Sequence, residues 1–164
     1  MSTNLAVERS TAAATERRRI AAFVSHPIQY LTPLWRELSA RPDVQLKVFY
    51  FSKQALESTV DRGFGIPVAW NIDLLAGHDH EFLPRQWPTR DPRDSSVRAL
   101  NAGLFRALRQ GWDAVYVSGW ARRNNWAIAA GCRRYGIPLL CFADSNLSAE
   151  RSKPALKLAV KRAL

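Results

Sequence analysis

Three short polar clusters carry the side chains of this chain best suited to chemistry. They are Ser25-His26-Pro27, Ser118-Gly119-Trp120 and Ala143-Asp144-Ser145-Asn146. An imidazole at His26 could hydrogen-bond a hydroxyl-bearing ligand or exchange a proton with it. It could equally cap the helix that follows or satisfy a nearby carbonyl. The Asp144 carboxylate could accept a hydrogen bond from a sugar or polyol hydroxyl, or simply cap a turn. Ser25 directly precedes His26, and adjacent residues rarely present a nucleophile and its base in working geometry, so no Ser–His–Asp set is assigned. His78 and His80 stand two apart in "HDH", but a metal needs further ligands and the nearby acidic residues read as solvent-exposed. No metal site is assigned.

A phosphate cradle needs glycines that let backbone N–H groups approach the anion. Neither G-x-G-x-x-G nor G-x-x-x-x-G-K-[ST] stands at any expected strand end, and "GFG" at Gly63 to Gly65 follows no strand. That argues against a dinucleotide-binding or P-loop enzyme. Cys132 and Cys141 lack metal-like spacing and read as reduced core residues. Trp70, Trp87, Trp112, Trp120 and Trp126 read mainly as core or loop anchors, with a sugar- or lipid-facing role as the alternative.

The three clusters act together only if the fold brings them to one edge. "RIAAFVS", Arg19 to Ser25, is a continuous apolar run flanked by charge, the pattern of a strand covered on both faces. A helix should follow, with Thr32 as its N-cap, Pro33 at the first helical position, and Leu34, Trp35 and Leu38 on its apolar face. Val44 to Ser52 reads as a second strand. The stretch from Lys53 to Asp94 is long, irregular and rich in proline and glycine; "HEFL", His80 to Leu83, is its best candidate for a short strand. A helix capped by Asp94 or Ser95 is expected next, carrying Val97, Leu100, Leu104, Phe105 and Leu108, and stopped by Gly111. Asp113 to Gly119 is a strand, and Asn124 to Gly136 a helix closed by glycine. The small residues Ala127, Ala129, Ala130 and Gly131 would let that helix lie close against a sheet. Ile137 to Phe142 is a strand, and a last helix opens near Ser152.

This alternation predicts a Rossmann-like three-layer α/β domain, with a mainly parallel sheet and helices on both faces. Ligands of such sheets gather at the carboxyl ends of the strands, where all three polar clusters fall. The 164 residues suit one domain, taken as 19–164, behind a disordered tail at 1–18 rich in Ser, Thr, Ala and Arg. The net charge of +10 favours polyanionic partners, although arginine pairs such as Arg122-Arg123 and Arg133-Arg134 look scattered along the chain. No recognition-helix motif or aromatic RNP strand is present, so nucleic acid ranks last among partners. No apolar run approaches the roughly 20 residues needed to span a bilayer.

Three segments together resemble the amino-terminal half of bacterial GT-B glycosyltransferases of the family 4 type. They are "SHPIQYLTPLWRELSARPDVQLKVFYFS", "DRGFGIPVAWNIDLLAGHDHEFL" and "SGWARRNNWAIAAGCRRYGIPLLCFADSN". The resemblance implies one half of a GT-B fold: an acceptor-binding domain that faces a cleft opposite a nucleotide-sugar-binding domain. It implies retaining, metal-independent sugar transfer with no resident cofactor, the nucleotide-sugar being a co-substrate. By that resemblance His26 and Gln29 face the cleft, Gly119 and Asn125 belong to the turn after a central strand, and Asp144 and Ser145 face the reacting centre. This chain has Phe142-Ala143-Asp144-Ser145 where relatives often have Arg-Gly-Asp-Ser, Asn71 where they have Asp, and His78 where they have an aromatic.

The resemblance further implies a sugar or lipid-linked acceptor. The donor-binding half is not recognised within the 164 residues, so the isolated chain is expected to be inactive unless a partner chain supplies that domain. The alternative is a non-catalytic module that holds a glycan or lipid-linked sugar for a separate partner. The expected location is cytoplasmic, with peripheral contact to the inner membrane face as one option. That option rests on "SKPALKLAVKRAL", where Lys153, Lys157 and Lys161 form a stripe beside Leu156, Val160 and Leu164 and would suit an anionic membrane surface. The competing reading docks that helix on the sheet with its lysines solvated.

Overall fold

The structure, a computed structural model, describes residues 16–53, 56, 59–60, 67–68, 72–83, 100–119 and 122–142. Five strands, β1 (Arg18–Val24), β2 (Val44–Tyr50), β5 (Asp79–Phe82), β6 (Ala114–Ser118) and β7 (Leu139–Phe142), form one sheet in the order β5-β2-β1-β6-β7. Every neighbouring pair in it is parallel. Two short strands, β3 (Thr59–Val60) and β4 (Pro67–Val68), pair antiparallel in a separate ribbon. The helices are α1 (Thr32–Ala40), α2 (Leu104–Leu108) and α3 (Arg123–Tyr135). This is the expected Rossmann-like three-layer α/β arrangement.

The unbroken apolar runs of the central strands follow from burial on two faces. Successive side chains of a strand point to opposite sides, so β1 sends Ala21 and Phe23 into one core and Ala22 and Val24 into the other. The first core joins them to Phe49 of β2, Val115 and Val117 of β6, Leu104 and Leu108 of α2, and Ile128 and Cys132 of α3. Phe23 stacks on Phe49 at 4.8 Å between centroids, and Phe49 meets the edge of Trp112. The second core sets Leu31 and Trp35, at the start of α1, against Leu46, Val48 and Tyr50 of β2. Each fully buried large apolar side chain contributes roughly 1.5–3 kcal/mol.

Several local expectations change. Thr32 is not the N-cap of α1; Leu31 holds that position and offers no side-chain cap. The Thr32 hydroxyl instead donates, to the carbonyls of Ile28 (3.2 Å) and Leu74 (3.3 Å), and is fully buried. It fastens the 72–78 segment to the helix. Arg36 adds bonds to the carbonyls of Asp73 and Ala76, and the Asp73 carboxylate accepts the N–H groups of Leu75 and Ala76. The irregular stretch is therefore well tied just before β5.

The helix expected from Asp94 or Ser95 is, among the described residues, the short α2, since 91–99 lie outside them and Leu100 precedes it. Gly103, with φ of 78°, occupies the left-handed region that helix interiors exclude, and it turns the chain just before Leu104. β1 begins at Arg18, which the sequence left in the tail. Of the small residues of α3, Ala127 packs against the first core on the sheet, while Gly131 serves a helix–helix contact: a Cβ there would lie 2.6 Å from Leu108 Cδ1 of α2. Cys132 is buried as expected, but Cys141, on edge strand β7, is exposed. The tail at 1–15 and the basic terminal segment, including Lys153, Lys157 and Lys161, lie outside the described residues.

Candidate functional site

Strand order reverses between β1 and β6: from β1 the chain builds outward to β2 and β5, then returns to add β6 and β7 on the other side. A crevice at the carboxyl ends of those two strands is the usual ligand position in open parallel sheets. The register pairs Phe23 with Val117, so continuing it by two residues sets Ser25 level with Gly119. Two of the three polar clusters therefore meet at the reversal. The third follows β7, whose last residue, Phe142, accepts the Gly119 N–H at 2.6 Å. Asp144 and Ser145 themselves lie outside the described residues.

In the turn after β1, the Ser25 hydroxyl lies 2.9 Å from His26 Nδ1. Adjacent residues do bond here, contrary to expectation, but the bond fixes the ring and builds no triad: no carboxylate is hydrogen-bonded to His26 among the described residues. Burial, and then the positive charge of Arg122, hold the His26 pKa below its ordinary value. The ring is therefore biased toward neutral imidazole, in which one nitrogen donates its N–H and the other accepts a hydrogen bond. Burial also lowers the pKa of the Arg122 guanidinium. Gln29 and Tyr30, later in this turn, are exposed, Tyr30 by 64%.

The turn after β6 rests on Gly119, with φ of 78°, a conformation glycine adopts without strain. Among the described residues, no atom lies within 4 Å of where its Cβ would stand, so the space beside it is open to them. Asn125 sits beneath the turn and is 4% exposed. Its Nδ2 donates to the carbonyls of Ser118 (2.9 Å) and Gly119 (2.8 Å). Turning the amide over would set oxygen against oxygen, so this orientation is fixed, and Oδ1 is left buried with no hydrogen-bond donor. Asn125 thus holds the turn that Gly119 forms. Helix α3 starts here with no side-chain cap and no acidic residue in its first turn, as α1 does beside His26. Two positive helix ends and Arg122 make the edge favourable to electron-rich oxygen.

Sequence reasoning missed Asn101 and gave Asn124 no role. Both are 4% exposed and bonded to each other: Asn101 N–H donates to Asn124 Oδ1 (3.0 Å), and Asn124 Nδ2 donates to Asn101 Oδ1 (2.7 Å). Asn101 Nδ2 also donates to the carbonyls of Phe51 (3.1 Å) and Leu83 (2.8 Å), just past the ends of β2 and β5. The pair ties the outer strand ends to the start of α3. The only sequence signal was two consecutive asparagines opening an apolar helix.

His78 and His80 sit at the β5 side of the sheet. The Tyr50 hydroxyl lies 3.0 Å from His78 Nε2, and the rings of His78, His80 and Phe82 gather about Tyr50. Among the described residues, no group of three or more His, Cys, Asp or Glu side chains is placed to hold a metal ion. Compared with models of protein families, with curated proteins and with solved structures, the chain matches none.

Proposed function

We propose that this domain forms the acceptor-side wall of a glycosyltransferase cleft, where a sugar from a nucleotide-sugar passes to a hydroxylated or lipid-linked acceptor. The observation that carries the reading is the meeting of the His26 and Gly119 turns where the strand order reverses. A hydroxyl ligand both donates and accepts hydrogen bonds. With Nδ1 of His26 bonded to Ser25, its Nε2 is left to donate or to accept one such bond according to tautomer, and among the described residues the open space beside Gly119 gives an approach. The three segments that resemble family 4 glycosyltransferases supply the reaction class: retaining, metal-independent transfer. Within it, Asp144 is the catalytic candidate and Ser145, Gln29 and His26 are acceptor contacts.

One Rossmann-like domain supplies one side of a two-sided cleft. The 164-residue chain by itself is therefore expected to bind acceptor and to turn over no nucleotide-sugar. Backbone amide shifts recorded while titrating a panel of mono- and disaccharides and lipid-linked sugars test this. The expected result is selective movement at His26, Gly119 and Asn125, with about tenfold weaker binding in His26→Ala, the effect of one lost hydrogen bond of about 1.4 kcal/mol. If no hydroxylated ligand moves those amides, the acceptor assignment is wrong. Steady release of nucleotide by the isolated chain would refute the one-sided reading while leaving acceptor binding intact.

A further inference from the structure

The positive charge is far less scattered in space than along the chain. From Ser95 to Ala143 the sole acidic residue is Asp113, and its carboxylate accepts the Arg19 backbone N–H. Helices α2 and α3 contain no Asp or Glu at all. They pack side by side through Gly131 and Leu108 over one face of the sheet, and so turn a common outer flank to solvent. Arg106, Arg109, Arg133 and Arg134 are exposed on it, as are the rings of Phe105 (42%) and Tyr135 (37%). Arg109 joins the two helices by donating to the Tyr135 hydroxyl at 2.9 Å, with its guanidinium 5.8 Å from the ring centre. Arg106 reaches Glu81, but Glu81 is shared with Lys47, so that trio stays net positive.

Arg106 in the last turn of α2, Arg109 at its C-cap, and Arg133 and Arg134 in the last turn of α3 all complement a helix dipole; the dipoles do not account for the two exposed rings beside them. We infer that the α2–α3 flank is a peripheral docking surface for an anionic phospholipid bilayer. Arginines interleaved with exposed aromatic rings on a broad helical flank suit a headgroup layer: the guanidinium groups pair with phosphates while the rings enter the interface. Nucleic acid suits the flank less well, because α2, with 5 residues, is short for a groove-reading helix and Phe105 offers no polar group. Among the described residues, no helix is long and apolar enough to cross a membrane, so the contact is with the surface. The inference does not depend on sugar transfer.

Co-sedimentation with vesicles of phosphatidylcholine, alone or mixed equally with phosphatidylglycerol, tests it at about 0.15 M salt. The intact chain should prefer the anionic vesicles at least tenfold. The combined variant R106E/R109E/R133E/R134E should lose at least tenfold of that binding, while K153E/K157E/K161E should stay within about twofold. Because the Arg109–Tyr135 contact also joins the helices, hydrogen exchange of the unmodified chain provides a second measurement. Anionic vesicles should slow exchange in 104–109 and 130–136. No preference for anionic vesicles, binding that survives the arginine variant, loss confined to the lysine variant, tighter binding to duplex DNA than to the vesicles, or unchanged exchange in both helices would each overturn the inference.

Discussion

Each buried asparagine at the carboxyl edge is committed to particular partners, and that makes its substitutions informative. Asn101 satisfies two strand-end carbonyls and exchanges bonds with Asn124. Asn101→Ala leaves those carbonyls buried and unpaired, at roughly 1–3 kcal/mol for each group. A loss of about 3 kcal/mol is expected by urea unfolding, with a double-mutant coupling to Asn124→Ala of about 1 kcal/mol; additive losses would show that the two do not act as a pair. Asn125→Asp sets a carboxylate against the Ser118 and Gly119 carbonyls. Its folded-state pKa must rise, so the unfolded state loses its proton first and, relative to an Asn125→Ala control with no such group, the variant should gain stability as pH falls from 7 toward 4. Little of this was legible beforehand. His26 and Gly119 stood out because they follow apolar runs, but Asn101 lies far along the chain from Phe51, and only the folded sheet brings them together. Thr32 shows the same limit: its residue type signalled a cap, while the carbonyl it serves belongs to a loop forty-two positions away.

The strands were legible because two-sided burial writes itself as continuous apolar runs, and β2, β6 and β7 fall within the stretches so read while β1 starts one residue earlier, at Arg18. The start of α2 was not. Val97, Leu100 and Leu104 hold helical spacing, yet the left-handed Gly103 interrupts the pattern, and apolar periodicity does not register a single backbone reversal. The stop of α3 was plain, because Gly136 takes the left-handed C-cap geometry that glycine permits. Helix α3 does lie on the sheet, with Ile128 and Cys132 in the first core, but small side chains signal a close neighbour without identifying it, and the one at Gly131 is a helix. That neighbour is α2, and its closeness is measurable. Gly131→Leu would push a branched side chain into space held by Leu108, which is 1% exposed, and by Phe105. Overpacking of this kind costs about 1–3 kcal/mol, against up to about 1 kcal/mol regained from replacing a helical glycine. A net loss of about 1–2 kcal/mol in thermal or urea unfolding is expected. A variant as stable as the parent would mean the two helices can separate without cost, and the shared flank would then lack a fixed shape.

At the scale of the whole molecule, two histidines, one just after the central strand β1 and one just before the edge strand β5, couple folding to pH in the same direction. His26 is held below its ordinary pKa by burial and Arg122. His78 is held below it by burial first and by His80 next, with a lesser contribution from Arg36, against opposing pulls from the Ala76 carbonyl and Asp79. The unfolded chain titrates both near the usual value of about 6.5. Between that value and the lower folded-state values, the unfolded state binds more protons, so stability rises with pH. The contribution is complete above about pH 7.5 and is lost as acid carries the pH below about 6.5 toward the folded-state values. Each histidine can add a slope of up to about 1.4 kcal/mol per pH unit in that window. Asp43 and Asp73, whose pKa values are lowered by Arg41 and by the Leu75 and Ala76 N–H groups respectively, act in the same direction but only at more acidic pH. The histidine effect therefore stands apart from ordinary acid unfolding. Urea midpoints should fall between pH 7.5 and 5.5 while the dependence of stability on urea stays constant, and imidazole resonances of His26 and His78 should titrate below 6.5. Midpoints that stay level across that range, or either imidazole titrating at or above 6.5, would show that the fold does not hold these rings neutral. The proposed part of His26 as a neutral partner for a hydroxyl would then lose its electrostatic basis, although the Ser25 bond and the convergence of the two turns would stand.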